Sequence, residues 1–257
     1  MQRSRGEPVM SMHVPYIASP LQARIPAELE GLFQRSRSHL IDADKKLGGE
    51  LLTETYCDLI DACFTHLLED INRTHPSKVL LEAQTVAEDI KAKARHYVGW
   101  VIGFLANDRL PPVIAHFHGL VHTLDLGDGD KPYMAFNISP KLAAEAQRVL
   151  ATLHDGSATS IDEGIELLIE AVEEAIVPLA MHPKDLMKFN FIVDRTLDGV
   201  IALIRKLFTR MLRKLAPHLP RELYPRVAAH LETFLIVSTH GNEIDGAVHC
   251  EGRQQPA

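Results

Sequence analysis

The segment His96-Tyr-Val-Gly-Trp-Val-Ile-Gly-Phe-Leu-Ala-Asn107 decides the fold of this chain. It carries no acid or base except His96 and is apolar on every side, so we expect it to lie inside the protein. Apolar side chains at the positions before it continue at spacings of three and four, which places them on one narrow helical stripe. The stripe consists of Val79, Ala83, Val86, Ile90, Ala94, Tyr97, Val101 and Phe104. These residues predict one long helix over 77–107, and its second half should be the interior spine of a helical bundle.

Helical periodicity dominates the rest of the chain, with Pro and Gly at the expected helix ends. Ser77 and Ser139 are candidate N-caps, Pro183 suits a first helical position, and Gly48-Gly49 and Gly156 suit helix stops. The predicted fold is therefore all-α, a single bundle of about eight helices with at most one short strand or hairpin near 131–138. The predicted helices are 27–47, 50–73, 77–107, 111–124, 140–154, 161–181, 184–216 and 221–238.

The chain has no obvious linker, and its ends differ from its centre in composition. Residues 1–25 are expected to form an extended or disordered arm, 26–238 the helical domain and 239–257 a flexible tail. With 257 residues, of which 46% are hydrophobic, the chain is long enough to bury a sizeable core. The longest apolar stretches are too short for a membrane-spanning helix.

Charge and cysteine content narrow the class of protein. A formal charge of -7 disfavours a nucleic-acid binder, since such proteins need a surplus of cations. The 3 cysteines form no C-x-x-C pair and cannot all be paired with one another. Together with a first segment unlike a secretory signal, this predicts a cytoplasmic location.

A candidate ligand site lies on the predicted third helix at His96, Gly99, Trp100 and Gly103. The G-x-x-x-G spacing permits the close approach of a second helix. The same two glycines could instead leave room for a small apolar ligand, with Trp100 as a wall and His96 as a polar handle. Both interpretations stay open on the sequence alone, and close helix packing is the simpler one.

A candidate partner-binding surface lies on the predicted helix 184–216. Its five cations, with no acid among them, are Arg205, Lys206, Arg210, Arg213 and Lys214. Such a basic face can dock on an acidic partner or on a second copy of the chain. The alternative is an intrachain counterweight, because the preceding helix carries Glu163, Glu166, Glu170 and Glu173 on one stripe.

Metal binding is the least supported of the site hypotheses. The chain has 14 histidines, but His118 and His122 lack an obvious third ligand nearby, and His116 lies on another flank of the predicted helix. His154-Asp155 matches the doublet of metal-dependent phosphohydrolases over two residues only, and a helix C-terminus followed by an Asp-Gly turn is the favoured explanation. Asp125, Asp128 and Asp130 depart from calcium-loop spacing and predict a tight turn. No metal or cofactor is predicted.

The functional hypotheses follow from these patterns. No nucleophile, phosphate-binding or zinc-protease motif is present, which favours binding over catalysis. The first hypothesis is a cytoplasmic regulatory protein that acts through protein contacts and self-association. The second is a sensor or carrier with a pocket near His96 and Trp100, and the third is a phosphohydrolase that uses His154 and Asp155.

Overall fold

The structure is a computed structural model that describes residues 15–38, 40–126 and 129–236. Most of these residues are helical, and the all-α class is confirmed. The α-helices are α1 (Arg24–Ser36), α2 (Asp42–Ile60), α3 (His66–Thr74), α4 (Lys78–Phe104), α5 (Leu110–Gly119), α6 (Pro140–His154), α7 (Asp162–Ile176), α8 (His182–Met187), α9 (Phe191–Leu215) and α10 (Tyr224–Glu232). Five-residue π-helical segments join α2 to α3 (Asp61–Thr65) and α7 to α8 (Val177–Met181), so the described residues form eight continuous helical rods.

A small antiparallel sheet accompanies the helices and is larger than the predicted hairpin. Its strands are β1 (Tyr16–Pro20), β2 (Val121–Asp125), β3 (Asp130–Asn137) and β4 (Leu235–Ile236), in the order β2-β3-β1-β4. β3 confirms the extended segment expected at 131–138. β1 lies within the predicted arm 1–25, and residues 1–14 and 237–257 fall outside the described part of the chain.

The sheet joins the helical core on one face. Side chains alternate along a strand, and in β1 Ile17 enters the large core whereas Tyr16 and Ala18 pack with Leu124 and Tyr133 of the neighbouring strands in a small separate cluster. The large core runs through all the long helices, so one continuous apolar interior carries most of the burial.

Several predicted helix starts and ends are confirmed. Ser77 Oγ accepts the Leu80 N–H and Ser139 Oγ accepts the Leu142 N–H, as N-cap hydroxyls do. Gly156 follows α6 with a φ of 73°, a left-handed conformation that glycine adopts without a Cβ clash.

The predicted stop at Gly48-Gly49 is wrong, because both glycines lie inside α2. A Cβ atom on Gly49 would stand 3.2 Å from Cγ1 of Ile102 on α4. The glycine is therefore explained by the close crossing of α2 and α4. Close helix packing does occur in this protein, although at Gly49 and not at the G-x-x-x-G pair.

Two further helix boundaries differ from the prediction. The predicted helix 111–124 ends at Gly119, and His122 lies in β2, since Val121–Asp125 pairs with Asp130–Met134 of β3. The predicted break near Pro183 occurs instead after Met187, at Lys188, whose φ is 48°. No helix among the described residues is both long enough and apolar enough to cross a bilayer.

Candidate ligand-binding cavity

A partly open cavity of about 240 Å³ lies among α2, α4, α7, α8 and α9. Its walls are almost wholly aliphatic and aromatic. α4 contributes Ile90, Ala94, Tyr97, Val98 and Val101. For comparison, an engineered apolar cavity of roughly 150 Å³ binds benzene. The cavity therefore has room for a small apolar molecule.

Both π-helical segments contribute to the cavity wall. Cys63 and Phe64 come from the first segment, and Leu179 and Ala180 come from the second. Such segments are rare and occur frequently at functional sites, because they displace backbone carbonyls from the regular helical ladder. Here they widen the helix on two sides of the same space.

Pro183 explains the second π-helical segment. The His182 N–H bonds to Val177 O, five residues earlier. Proline has no N–H, so Pro183 cannot bond to the carbonyl four or five residues before it, which are those of Leu179 and Pro178. The carbonyls of Pro178 and Leu179 therefore lack the Pro183 N–H as a donor, and other donors are needed beside the cavity.

Side chains supply those donors. His116 Nε2 lies 2.7 Å from Pro178 O, and the Tyr56 hydroxyl donates to Leu179 O. Because a carbonyl only accepts, Nε2 of His116 must carry the proton. Burial lowers the pKa of His116 and raises that of Tyr56, which keeps both side chains neutral. The two hydrogen bonds hold the widened helix in place.

The first π-helical segment is held in a similar way. His230 Nε2 lies 3.1 Å from Cys63 O, and burial lowers the pKa of His230. Burial also raises the pKa of the Cys63 thiol to about 12. Because the thiolate and not the thiol is the nucleophile, Cys63 presents an apolar wall to the cavity.

Lys184 is the one residue with a formal charge among the described residues that line the cavity. Its side chain is only 11% exposed, and Nζ lies 2.6 Å from Asp198 Oδ1 and 3.1 Å from Asp194 Oδ1. Burial alone would lower the pKa of Lys184, but the hydrogen bonds to both carboxylates outweigh burial and raise it. The ammonium group therefore stays charged, held by two carboxylates that do not line the cavity.

The predicted ligand residues lie on another face of α4. His96, Gly99 and Gly103 are exposed, Trp100 is half-buried against Phe104, and none of the four lines the cavity. The expectation that residues 96–107 are buried on every side is wrong, since Phe104 is 57% exposed. The helix has one buried stripe, and its glycine face meets solvent.

The solvent-facing glycines lead to a stability prediction. A Cβ atom on Gly99 or Gly103 would contact nothing within 4 Å. Gly99→Ala and Gly103→Ala should each raise the free energy of unfolding by roughly 0.5–1 kcal/mol, because alanine loses less backbone entropy in a helix. Urea unfolding measures this, with Gly49→Ala as the tightly packed counterpart. Destabilisation by Gly99→Ala would show that a helix packs on this face.

The basic face of α9 is largely neutralised within the chain. Arg213 makes a bidentate pair with Glu166, both N···O distances being 3.0 Å, and Arg205 lies 2.8 Å from Glu173. Lys214 pairs with Glu82 of α4. Lys206 and Arg210 are exposed and have no ion pair within the described part of the chain. The acidic stripe therefore provides the expected counterweight for two of the five cations, and Glu82 of α4 pairs with a third.

The candidate metal ligands lie apart from one another. His118 bonds to Glu30 and stacks on Phe33, and His122 is half-buried in β2. His154 Nε2 lies 2.9 Å from Glu232 Oε2, whereas Asp155 Oδ1 accepts the Ser157 N–H in a turn. Within the ranges that the structure describes, no three His, Cys, Asp or Glu side chains are placed to hold a metal ion.

The described residues of the Asp-rich segment 125–130 form the tight turn that the sequence predicts. Asp125 Oδ1 accepts the Gly129 N–H at 3.1 Å, and Gly129 has a φ of 88°. Asp128 lies outside the described residues. The contact closes the β2-β3 hairpin.

Sequence reasoning found the stripe of α4 but not the site. Lys184 and Tyr56 come from helices 128 positions apart in the sequence, and neither belongs to a local motif. Pro183 was the available signal, because a proline inside an otherwise helical stretch predicts freed carbonyls. The prediction of a first helical position at Pro183 misses this signal.

Comparison with known proteins adds no functional assignment: no family model, curated protein or solved structure matches this chain. The cavity geometry is therefore the basis for the functional proposal.

Proposed function

We propose that this chain is a binding protein for a small, mostly apolar molecule that occupies the cavity among α2, α4, α7, α8 and α9. The observation that carries the proposal is the apolar, partly open space of about 240 Å³ between these helices. Protein interiors are normally packed with few voids larger than a water molecule. A space of this size costs stability when empty, and a ligand that fills it recovers the lost contacts.

The size of the space sets the size of the ligand. If roughly 150 Å³ holds the six carbons of benzene, then 240 Å³ holds about ten carbon atoms. Burying a methylene group contributes about 0.8 kcal/mol. Each further methylene that the space accommodates should therefore tighten binding roughly fourfold.

The hydrogen bonds that hold the cavity wall favour a preformed cavity. Tyr56, His116 and His230 satisfy backbone carbonyls of the two π-helical segments without pointing a free donor at an apolar ligand. Ligand pockets usually combine such an apolar lining with very few polar groups. The residues with polar side-chain groups in this lining are few, among them Tyr56, Tyr97 and Lys184.

Binding of a protein partner through the basic face remains a hypothesis with less support. Arg205, Arg213 and Lys214 already have carboxylate partners in the chain. The phosphohydrolase hypothesis rests on His154 and Asp155 alone, with no third ligand beside them among the described residues.

The proposal is tested with naphthalene and 1-octanol, a compact and a flexible probe of the expected size. Calorimetry should show saturable one-to-one binding of at least one probe, and the thermal midpoint should rise with its concentration. Ala94→Leu places an isobutyl group in the cavity wall and should weaken binding at least tenfold.

Ala92→Leu is the matched control, because Ala92 lies on the same helix with its side chain exposed. It should leave the affinity unchanged. The proposal fails if the wild-type protein binds neither probe, or if the two leucine variants bind equally well.

A further inference from the structure

Each π-helical segment of the cavity wall is held by a histidine that lies outside the cavity. His116 of α5 bonds to Pro178 O in the second segment, and His230 of α10 bonds to Cys63 O in the first. Both carbonyls only accept, so each ring must carry a proton at Nε2. The same contact therefore occurs twice, from two helices that are distant in sequence.

A second histidine accompanies each of these rings. The ring centroids of His116 and His182 are 4.6 Å apart, and His182 follows the second π-helical segment directly. His66 follows the first segment in the same way. Burial lowers the pKa of His116 and of His230, and the neighbouring histidine lowers each further, which outweighs the bond to the carbonyl. A positive charge on either ring is therefore disfavoured while the wall is formed.

The surroundings supply no carboxylate that would compensate such a charge. Beside these histidines, the charged and titratable side chains on the elements that contact α5 and α10 fall into two sets. Around α5 they are Arg24, Glu28, Glu30, Arg35, Tyr56, Asp108, Arg109, His122, Asp125, His182, Lys184 and Asp185, and around α10 they are Asp61, His66, Glu69, Asp70, Arg73, Lys141, Glu145, Arg148, His154, Arg221 and Glu222. In the described ranges, the histidines that pair with a carboxylate are His75, His118 and His154. His116 and His230 are not among them.

The formed wall therefore binds fewer protons than a wall whose segments have opened and exposed the two imidazoles to water. An exposed histidine has a pKa of about 6.5, so both forms are neutral well above that pH. As the pH falls below it, the opened form takes up protons and gains stability relative to the formed wall. Local opening also costs less than global unfolding. Mild acid therefore favours opening of the wall.

We infer that the cavity is a pH-dependent binding site, which holds its apolar ligand near neutral pH and releases it in mild acid as His116 and His230 take up protons. The inference rests on the proposed function, because it assigns the regulation of the same cavity. A ligand that binds only the formed wall competes with these protons, since two equilibria that share one conformational change are reciprocally coupled.

Calorimetry with naphthalene and 1-octanol, neither of which titrates in this range, tests the inference at pH 7.5 and pH 5.5. The wild-type affinity for the probe that binds should fall roughly fivefold or more at the lower pH. The double variant His116→Gln with His230→Gln keeps an N–H donor at each position but takes up no proton there, so its affinity should change less than about twofold.

His218→Gln is the matched control, because His218 is exposed and does not line the cavity. It should keep the wild-type pH dependence. A second measurement keeps the inference testable if the double variant does not fold. Calorimetry of the wild-type protein in buffers of different ionisation enthalpy counts the protons released on binding, and release is expected at pH 5.5 but not at pH 7.5.

The outcomes separate the regulation from the proposed function. Equal wild-type affinity at the two pH values, binding at pH 5.5 without proton release, or a double variant that keeps the wild-type dependence overturns the pH-dependent release and leaves apolar binding in place. Absence of binding by both naphthalene and 1-octanol at pH 7.5 overturns the proposed function and its regulation together.

Discussion

Replacing Phe208 by alanine is expected to lower the free energy of unfolding by roughly 3–5 kcal/mol. Phe208 is 7% exposed on α9, lines the cavity and packs against Phe64 with ring centroids 4.7 Å apart. Its removal deletes an aromatic contact and enlarges a space that is already unfilled by protein. Urea unfolding monitored by circular dichroism measures the loss.

Phe191→Ala is the matched control, since Phe191 lies at the start of the same helix and is 73% exposed. It should cost less than about 1 kcal/mol, because surface substitutions away from special features are nearly neutral. Saturating benzene should restore part of the stability of Phe208→Ala, since a ligand that binds only the folded state stabilises it. A loss below about 1 kcal/mol for Phe208→Ala would contradict the placement of this ring at the cavity wall.

Tyr56→Phe is expected to lower the free energy of unfolding by roughly 1–3 kcal/mol, the cost of a buried acceptor left without its donor. The Tyr56 hydroxyl donates to Leu179 O, a carbonyl that Pro183 cannot serve. The substitution leaves the ring in place, so the loss reports the hydrogen bond and not packing. Urea unfolding again measures it.

Tyr97→Phe makes the same chemical change at a second tyrosine of the cavity wall. Its hydroxyl has no hydrogen bond to any residue that the structure describes, so the change should be close to neutral. Equal losses in the two variants would show that the π-helical segment does not depend on Tyr56. A Pro183→Ala variant, which returns the backbone N–H, should reduce the difference between them.

Local patterns predicted the elements whose burial follows from their own periodicity. The stripe through Ala83, Ile90, Ala94 and Val101 lies in the interior, as does the apolar row of α9 from Val193 to Leu215. The N-cap serines of α4 and α6 could be predicted, because an N-cap side chain accepts a hydrogen bond from a backbone N–H only two or three residues later.

The predictions were wrong where the structure of a segment depends on a segment that is distant in sequence and packs against it. Gly48-Gly49 signals a stop in isolation, but the close crossing with Ile102 places both residues inside α2. His122 follows an apolar run that suits a helix, and pairing with β3 draws it into a strand. In each case tertiary contact outweighed local propensity, which is a weak preference.

The candidate site shows the same division. The apolar residues that α4 contributes to the cavity wall belong to the predicted packing stripe. The predicted pocket residues His96, Gly99 and Gly103 lie on a different face of α4, which is exposed. The glycine face of a helix can pack against another helix or meet solvent, and the periodicity of the sequence does not distinguish these two cases. The positions of the neighbouring helices determine which one occurs.

The amino-acid sequence alone determines that this protein is helical and which stripe of its long amphipathic helices is buried, because these properties depend on residues a few positions apart. Only the tertiary structure decides that α2, α4, α7, α8 and α9 line a common space, and that Tyr56 and His116 bond to the carbonyls of Leu179 and Pro178 in its wall. The physical reason is that a cavity is the volume left between distant segments, and no single segment carries the information about that volume.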